Sequence, residues 1–295
     1  MIESKPSWRD AFSSFVERKT RAAIAAATPP YVTEIAAPER QLVAVGNTWS
    51  AARFDGPFYV TAPSALREPA CSLVFVQSAD GNTVASDPTS LGGGQTDKHV
   101  VYEGLSRVAA DAVLAGARSV RGGRMIFSVW HPAMVDLRQS LRLPRHPVQV
   151  VATLKGIDIE GGLLFNVPDV SVVLLTVSGG ATVMEKSVAE RPWIRMITMD
   201  GPSHLGEAVR GLRELNVSRL SCIGGRTLAI QLLDLDLVDD LYLTTSPRPG
   251  GEPGTPIYPY PRRLEASVIV RKRGTAEESG VLFEHFHLRR AETQP

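Results

Sequence analysis

The chain is poor in the residues that mark several protein classes. Its 295 residues include two cysteines, Cys71 and Cys222. Each lies in an apolar run where a small hydrophobe would serve equally, which argues against a disulfide framework and for a reducing, cytoplasmic setting. Neither sign of charge dominates: 32 Lys and Arg against 31 Asp and Glu leave a net charge of +1. No global field draws in nucleic acid or an anionic membrane, so neither is expected as a partner. Long apolar runs are also missing. The uncharged N-terminal run from Ala22 to Tyr31 is short and broken by Pro29 and Pro30, unlike a membrane span or a secretory core. The six histidines show no metal spacing, and no metal site is expected. His285 and His287 alternate on a strand-like run and read as surface or edge imidazoles. P-loop, Gly-x-Ser-x-Gly and His-x-Glu with Pro-Cys-x-x-Cys patterns do not occur, which removes support for the main NTPase, hydrolase and zinc deaminase readings. The Rossmann fingerprint is absent as well, because Gly92-Gly93-Gly94 and Gly179-Gly180 lack a third glycine at the required spacing after a strand.

What remains is a globular chain, 43% hydrophobic, long enough for one large α/β domain or two small ones. Residues 7 to 27 carry Trp8, Phe12, Phe15, Val16 and Ala23 at helical spacing, which predicts an N-terminal arm helix. An exposed apolar stripe on that helix would need a partner in its own or another chain. Between 31 and 68 the pattern is broken, with short strands at 41–45 and 57–60. From Cys71 onward, apolar runs at 73–76, 112–114, 148–154, 172–176, 194–199 and 220–223 alternate with helical patterns at 97–108, 203–215 and 227–235. Ser203 offers an N-cap to the second of these helices. The alternation predicts a mostly parallel sheet with crossover helices. Runs at 241–245, 266–270 and 281–287, with a Pro/Gly-rich stretch at 247–261, predict a closing antiparallel segment.

Four turns carry candidate chemistry. Gly224-Gly225 follows a strand and opens a helix, a geometry that presents free backbone amides to an anion; a tight turn without a ligand fits the same dipeptide. Gly116-Ala117-Arg118-Ser119 has the same logic and adds a guanidinium and a hydroxyl. Arg121 and Arg124 extend its basic character, or else line a solvated loop. Thr176-Val177-Ser178-Gly179-Gly180 ends another strand with two hydroxyls, and reads equally as a polar loop. Ser78-Ala79-Asp80-Gly81-Asn82 follows the strand at 73–76. A carboxylate there accepts hydrogen bonds from a substrate's hydroxyl or amino group, while an Asp-Gly pair is by default a turn.

Three of these elements occur in a telling order: Ser78-Ala79-Asp80-Gly81, the run from Asp111 to Val120, and Ile223-Gly224-Gly225-Arg226-Thr227-Leu228. Together they resemble the reductase domain of riboflavin biosynthesis, a branch of the dihydrofolate-reductase-like enzymes. The resemblance implies a dihydrofolate-reductase-like α/β domain over 68–290, mostly parallel with flanking helices and an antiparallel C-terminal segment, after an N-terminal extension at 1–67 and before a tail at 291–295. It implies NADPH, held by Gly116, Arg118, Ser119, Thr176, Ser178, Gly224, Gly225, Arg226, Thr227 and Leu228. It places the substrate end at Ser78, Asp80 and Asn82, with Asp80 as the catalytic residue. The implied reaction passes hydride to the sugar carbon of a ribosylaminopyrimidine phosphate, and the implied assembly is a homodimer. The chain departs from the pattern at Asn82, where lysine or arginine is usual, at Arg121-Gly122-Gly123-Arg124, where an acid and proline are usual, and at Ile223, where glutamate is common. These departures keep two further readings open: a reductase of the same fold acting on a pteridine or carbonyl metabolite, and a non-catalytic NADPH-binding protein.

Overall fold

Ten strands form one sheet in the computed structural model, which describes residues 7–62, 68–121, 123, 125–259 and 265–288. The strands are β1 (Tyr31–Ala36), β2 (Leu42–Val45), β3 (Phe58–Thr61), β4 (Ala70–Gln77), β5 (Ala112–Gly116), β6 (Val148–Ala152), β7 (Val172–Val177), β8 (Ile194–Met199), β9 (Arg219–Cys222), β10 (Asp240–Thr245), β11 (Ala266–Gly274) and β12 (Leu282–Leu288). The sheet order is β1-β11-β12-β10-β4-β9-β5-β6-β7-β8, and β2 with β3 forms a separate pair. From β10 to β8 every neighbouring pair is parallel, while β12, β11 and β1 add on antiparallel. The central parallel strands β5, β6, β7, β9 and β10 are buried on both faces, as their apolar runs require, while the edge strand β8 leaves Arg195 and Thr198 exposed.

The helices are α1 (Trp8–Ala25), α2 (Thr48–Phe54), α3 over 94–108, α4 (Ala117–Val120), α5 (Pro132–Ser140), α6 (Ser178–Ala189), α7 (Leu205–Gly211) and α8 (Arg226–Asp234). The middle of α3, Asp97–Leu105, is π-helical, a form with one extra residue per turn that recurs at functional sites. Two apolar layers cover the sheet. One gathers Val74, Val113, Ala115, Val151 and Tyr242 with α1, α3 and Trp130. The other gathers Cys71, Leu73, Leu114 and Leu220 with α7 and α8.

Several expectations change on the structure. The arm helix folds back on its own domain: Phe15 is buried and meets Trp130 edge-on at 5.3 Å, Phe12 meets His146 at 5.7 Å, and Lys19 pairs with Glu103 on α3. Phe12, Phe15 and Val16 are therefore satisfied within the chain, while Trp8 stays exposed. The segment 31–36, read as broken pattern, is the edge strand β1, paired with β11. The stretch after Val177 opens α6 rather than a loop, and α5 appears where no element was expected. Ser203 lies in a 3-10 turn (Pro202–His204), and α7 has His204 at its N-cap with no side-chain hydrogen bond. His285 is no surface imidazole: it is 1% exposed and bonds the buried Asp240 at 3.0 Å, with His287 on the same carboxylate at 3.1 Å. Arg124, Gly122, residues 1–6 and the tail at 291–295 lie outside the described residues.

Candidate active site

Parallel strands bring their C-terminal ends to one edge, where open α/β sheets bind ligands. β9 sits between β4 and β5, so the turns at 78–82, 223–226 and 116–119 become neighbours. The last two touch: the Gly116 amide donates to the Gly224 carbonyl at 3.3 Å. Gly225 has φ of +84°, a left-handed backbone that only glycine adopts without strain, and Gly224 has φ of +156°. A Cβ on Gly225 would lie 3.8 Å from the Gly116 backbone, and one on Gly224 3.4 Å from the Ser119 hydroxyl, so side chains here would fill the gap between the turns.

The helices starting at this edge are bare. Side chains cap α1 (Ser7), α2 (Asn47) and α5 (His131), whereas Gly116, Val177 and Gly225 give α4, α6 and α8 no side-chain hydrogen bond. Uncapped first turns leave amides available to a ligand. Of the residues expected to hold a cofactor, Arg118, Ser178 and Thr227 are exposed, and Ser119, Gly116, Gly224, Gly225 and Arg226 are half-buried. Arg226 donates through Nε to the Pro256 carbonyl at 2.6 Å, tying α8 to the Pro/Gly-rich loop. Thr176 is 0% exposed and Leu228 packs in the apolar layer, so any part Leu228 plays is through its backbone. Gly180 explains the small residues after β7: a Cβ there would lie 2.9 Å from the Leu154 carbonyl, so the loop after β6 can close on α6.

The turn after β4 is built differently. Ser78 is fully buried, and its hydroxyl accepts the Asn82 amide at 3.3 Å. Asn82 donates from its side chain to the Gly250 carbonyl at 2.9 Å and accepts the Thr255 amide at 3.3 Å. Asp80 is exposed, and its carboxylate accepts the Gly250 amide at 3.1 Å. Backbone bonds from Ala79 to Arg248 and from Thr83 to Thr255 complete a tie between 78–84 and 248–255.

Sequence reasoning missed the loop after β6. The apolar run continues through Leu154, but the strand ends at Ala152 and exposes Lys155 at the same edge. Lys155 and Arg121 line an open cleft of about 480 Å³ between α4, the loop over 155–162 and α6, with Ile157, Met184 and Glu160 opposite. The signal was a lysine directly after a strand run. Both cysteines are buried, and burial pushes the Cys222 thiol up to about 12, which leaves it unreactive. Among the described residues no group of three or more His, Cys, Asp or Glu is placed to hold a metal, and no helix is long and apolar enough to cross a membrane.

Comparison with known proteins agrees with this geometry. The family model for the RibD C-terminal domain matches residues 69–275. No curated protein matches the chain. Among solved structures, a pyrimidine reductase-like protein from Corynebacterium diphtheriae superposes with a TM-score of 0.62 at 18% identity, over 76% of this chain and 93% of that one. Acinetobacter baumannii RibD gives 0.59 at 15% identity over 76% of this chain and 59% of its own length, so the chain spans little more than half of that protein. The riboflavin biosynthesis reductase Rib7 of Saccharomyces cerevisiae gives 0.53 at 15%, over 77% and 93%.

Proposed function

The chain belongs to the RibD C-terminal domain family, and on that premise we propose that it is an NADPH-dependent reductase of the riboflavin-pathway type. The observation that carries this reading is the juxtaposition of the Gly224-Gly225 and Gly116 turns across β9 and β5, a cradle that a side chain would fill. The residues fit the group. Backbone amides of the first turns of α8 and α6 face the edge as donors for a pyrophosphate, and Gly224 and Gly225 allow it to approach. Arg118, Arg121 and Lys155 supply cations for a 2′-phosphate, and Ser119 and Ser178 supply hydroxyls. NADPH, when bound, supplies the hydride. The protein's own part is positioning: the cradle holds one partner while the 78–84 and 248–255 tie walls the other side of the cleft. A homodimer in a reducing, cytoplasmic setting belongs to this reading, the pairing now resting on the resemblance alone.

Calorimetry with NADPH and NADH tests it. A charge-assisted contact to the 2′-phosphate contributes about 1.5 to 3 kcal/mol, so NADPH should bind roughly ten- to a hundredfold tighter. Equal dissociation constants, or no binding, would overturn the assignment. A second reading, reduction of a different substrate on the same fold, is favoured by Asn82: it stands where the family has a cation, and both ends of its side chain are bonded to the 248–255 loop. Complementation of a strain lacking the riboflavin reductase separates the two.

A further inference from the structure

The loop over 247–259 is held from two sides, and the two holds meet in adjacent residues. On the substrate side the Thr255 amide donates to the Asn82 side chain at 3.3 Å, and the Thr255 carbonyl accepts the Thr83 amide at 2.9 Å. The next carbonyl, that of Pro256, accepts Nε–H of Arg226 at 2.6 Å. Arg226 is the first residue of α8, directly after Gly224-Gly225. Beyond Pro256 the loop lies down on the same helix: Ile257 and Tyr258 pack against the apolar layer that contains Leu228 and Leu232, and the Tyr258 hydroxyl donates to Asp234 at 2.9 Å. A single peptide step therefore separates the turn at 78–84 from the helix that opens at the cradle.

That step is stiff. The proline ring fixes φ at 256, and a residue before proline is confined to extended backbone, so neither Thr255 nor Pro256 absorbs a displacement by turning. The start of α8 is the opposite. Gly225 gives it no side-chain cap, and its first helical bond runs from the Ala229 amide to the Gly225 carbonyl at 3.0 Å, which leaves the amides of Arg226, Thr227 and Leu228 without helical acceptors. An uncapped first turn frays, and an anion seated on those amides takes the place of the missing cap. The Arg226 side chain leaves the backbone from this turn, so its hold on Pro256 is as firm as the turn itself. Helices α4 and α6 are equally bare, yet among the described residues neither sends a side-chain hydrogen bond to this loop.

We propose that Arg226 is a positioning residue that couples the two halves of the site. A ligand on the first turn of α8 firms the hold of Arg226 on Pro256, and the Thr255-Pro256 step carries this to Asn82, Thr83 and the turn at 78–84. Arg226 thus belongs to both sides: its backbone amide faces the cofactor and its guanidinium holds the substrate wall, which the cofactor sets before substrate arrives. This deepens the reductase reading and rests on it for the identity of the ligand.

Amide hydrogen exchange on the full chain, with and without saturating NADPH, measures the coupling, and calorimetry on the same samples measures binding. In wild type NADPH should slow exchange of the Thr83 and Thr255 amides at least about fivefold. The Leu42 amide, bonded to the Glu39 carbonyl in a turn of the N-terminal extension, should keep its rate. Arg226→Ala should bring the ratio of the bound and free rates at Thr83 and Thr255 close to one. Its NADPH affinity should stay within about threefold of wild type, because the loop is already bonded in the unliganded chain and the coupling acts on its opening. Pro256→Gly keeps the accepting carbonyl and frees the backbone, and it too should lose most of the ratio. A merely structural Arg226 would speed exchange equally with and without NADPH, leaving the ratio as in wild type. A ratio retained in either folded variant would overturn the proposal. So would a wild-type ratio of one with NADPH bound, an outcome that leaves the reductase reading standing. Failure of NADPH to bind wild type would overturn both.

Discussion

On one side of the strand edge the turns after β5 and β9 keep their polar backbone bare, and on the other the turn after β4 commits nearly every polar group to the loop over 248–255. The first side is a cradle shaped by glycines of positive φ and lacks side-chain caps. The second is a wall whose shape depends on long-range hydrogen bonds. Substitutions on the first side should therefore act on ligand affinity directly, and those on the second through the placement of a loop.

The largest expected effect is on the bare side. Gly225→Val places a β-branched side chain at φ of +84° and fills the gap facing Gly116. Backbone strain of about 1 to 3 kcal/mol is survivable for a domain of this size, but the blocked approach should weaken NADPH more than a hundredfold. Wild-type affinity in a folded variant, read by calorimetry and circular dichroism, would reduce the cradle to a tight turn. The matched substitution on the other side is Gly251→Val. At φ of +77°, its Cβ would lie 2.9 Å from the Asn82 side chain and 3.0 Å from Leu91 and the Val84 carbonyl. It should lower the melting temperature and turnover while leaving NADPH affinity within about twofold. Loss of NADPH binding here would erase the distinction between the two sides.

A smaller effect is expected at Asn82. Asn82→Ala removes two hydrogen bonds from a residue 8% exposed and leaves the Gly250 carbonyl and Thr255 amide to find other partners. A cost of about 1 to 3 kcal/mol in unfolding free energy follows. The Michaelis constant for substrate should rise and the NADPH dissociation constant stay level. Unchanged stability by denaturant titration would show that the tie is dispensable.

The same contrast explains what the sequence made legible. Strands such as 112–116 and 172–177 stand out because burial on both faces demands an unbroken apolar run, and the glycine turns after β5 and β9 are local patterns. The tie between 78–84 and 248–255 joins segments about 170 residues apart, so Asn82 and Asp80 read as candidates for a ligand rather than as partners of a loop. The edge strand β1 is hidden for a like reason, since its partner β11 lies over 230 residues away. Gly179-Gly180 reads as a loop because the close approach of the Leu154 carbonyl, which makes glycine necessary in the first turn of α6, leaves no trace in local sequence.

The smallest effect is expected at Asp80, the residue that sequence alone singles out for catalysis. Its carboxylate is exposed and accepts one backbone amide, from Gly250, at 3.1 Å. An asparagine oxygen accepts the same bond, and asparagine suits this turn position almost as well as aspartate. Asp80→Asn should therefore change turnover by no more than a few-fold. Asp80→Ala, which breaks the bond, should cost about 0.5 to 1.5 kcal/mol in the placement of the loop, seen as a raised Michaelis constant. Both variants should bind NADPH as wild type does. The paired measurement separates charge from geometry. A drop of one or more orders of magnitude in the turnover of Asp80→Asn, with NADPH affinity intact, would return the substrate-orienting role to Asp80 and make the loop bond incidental to it.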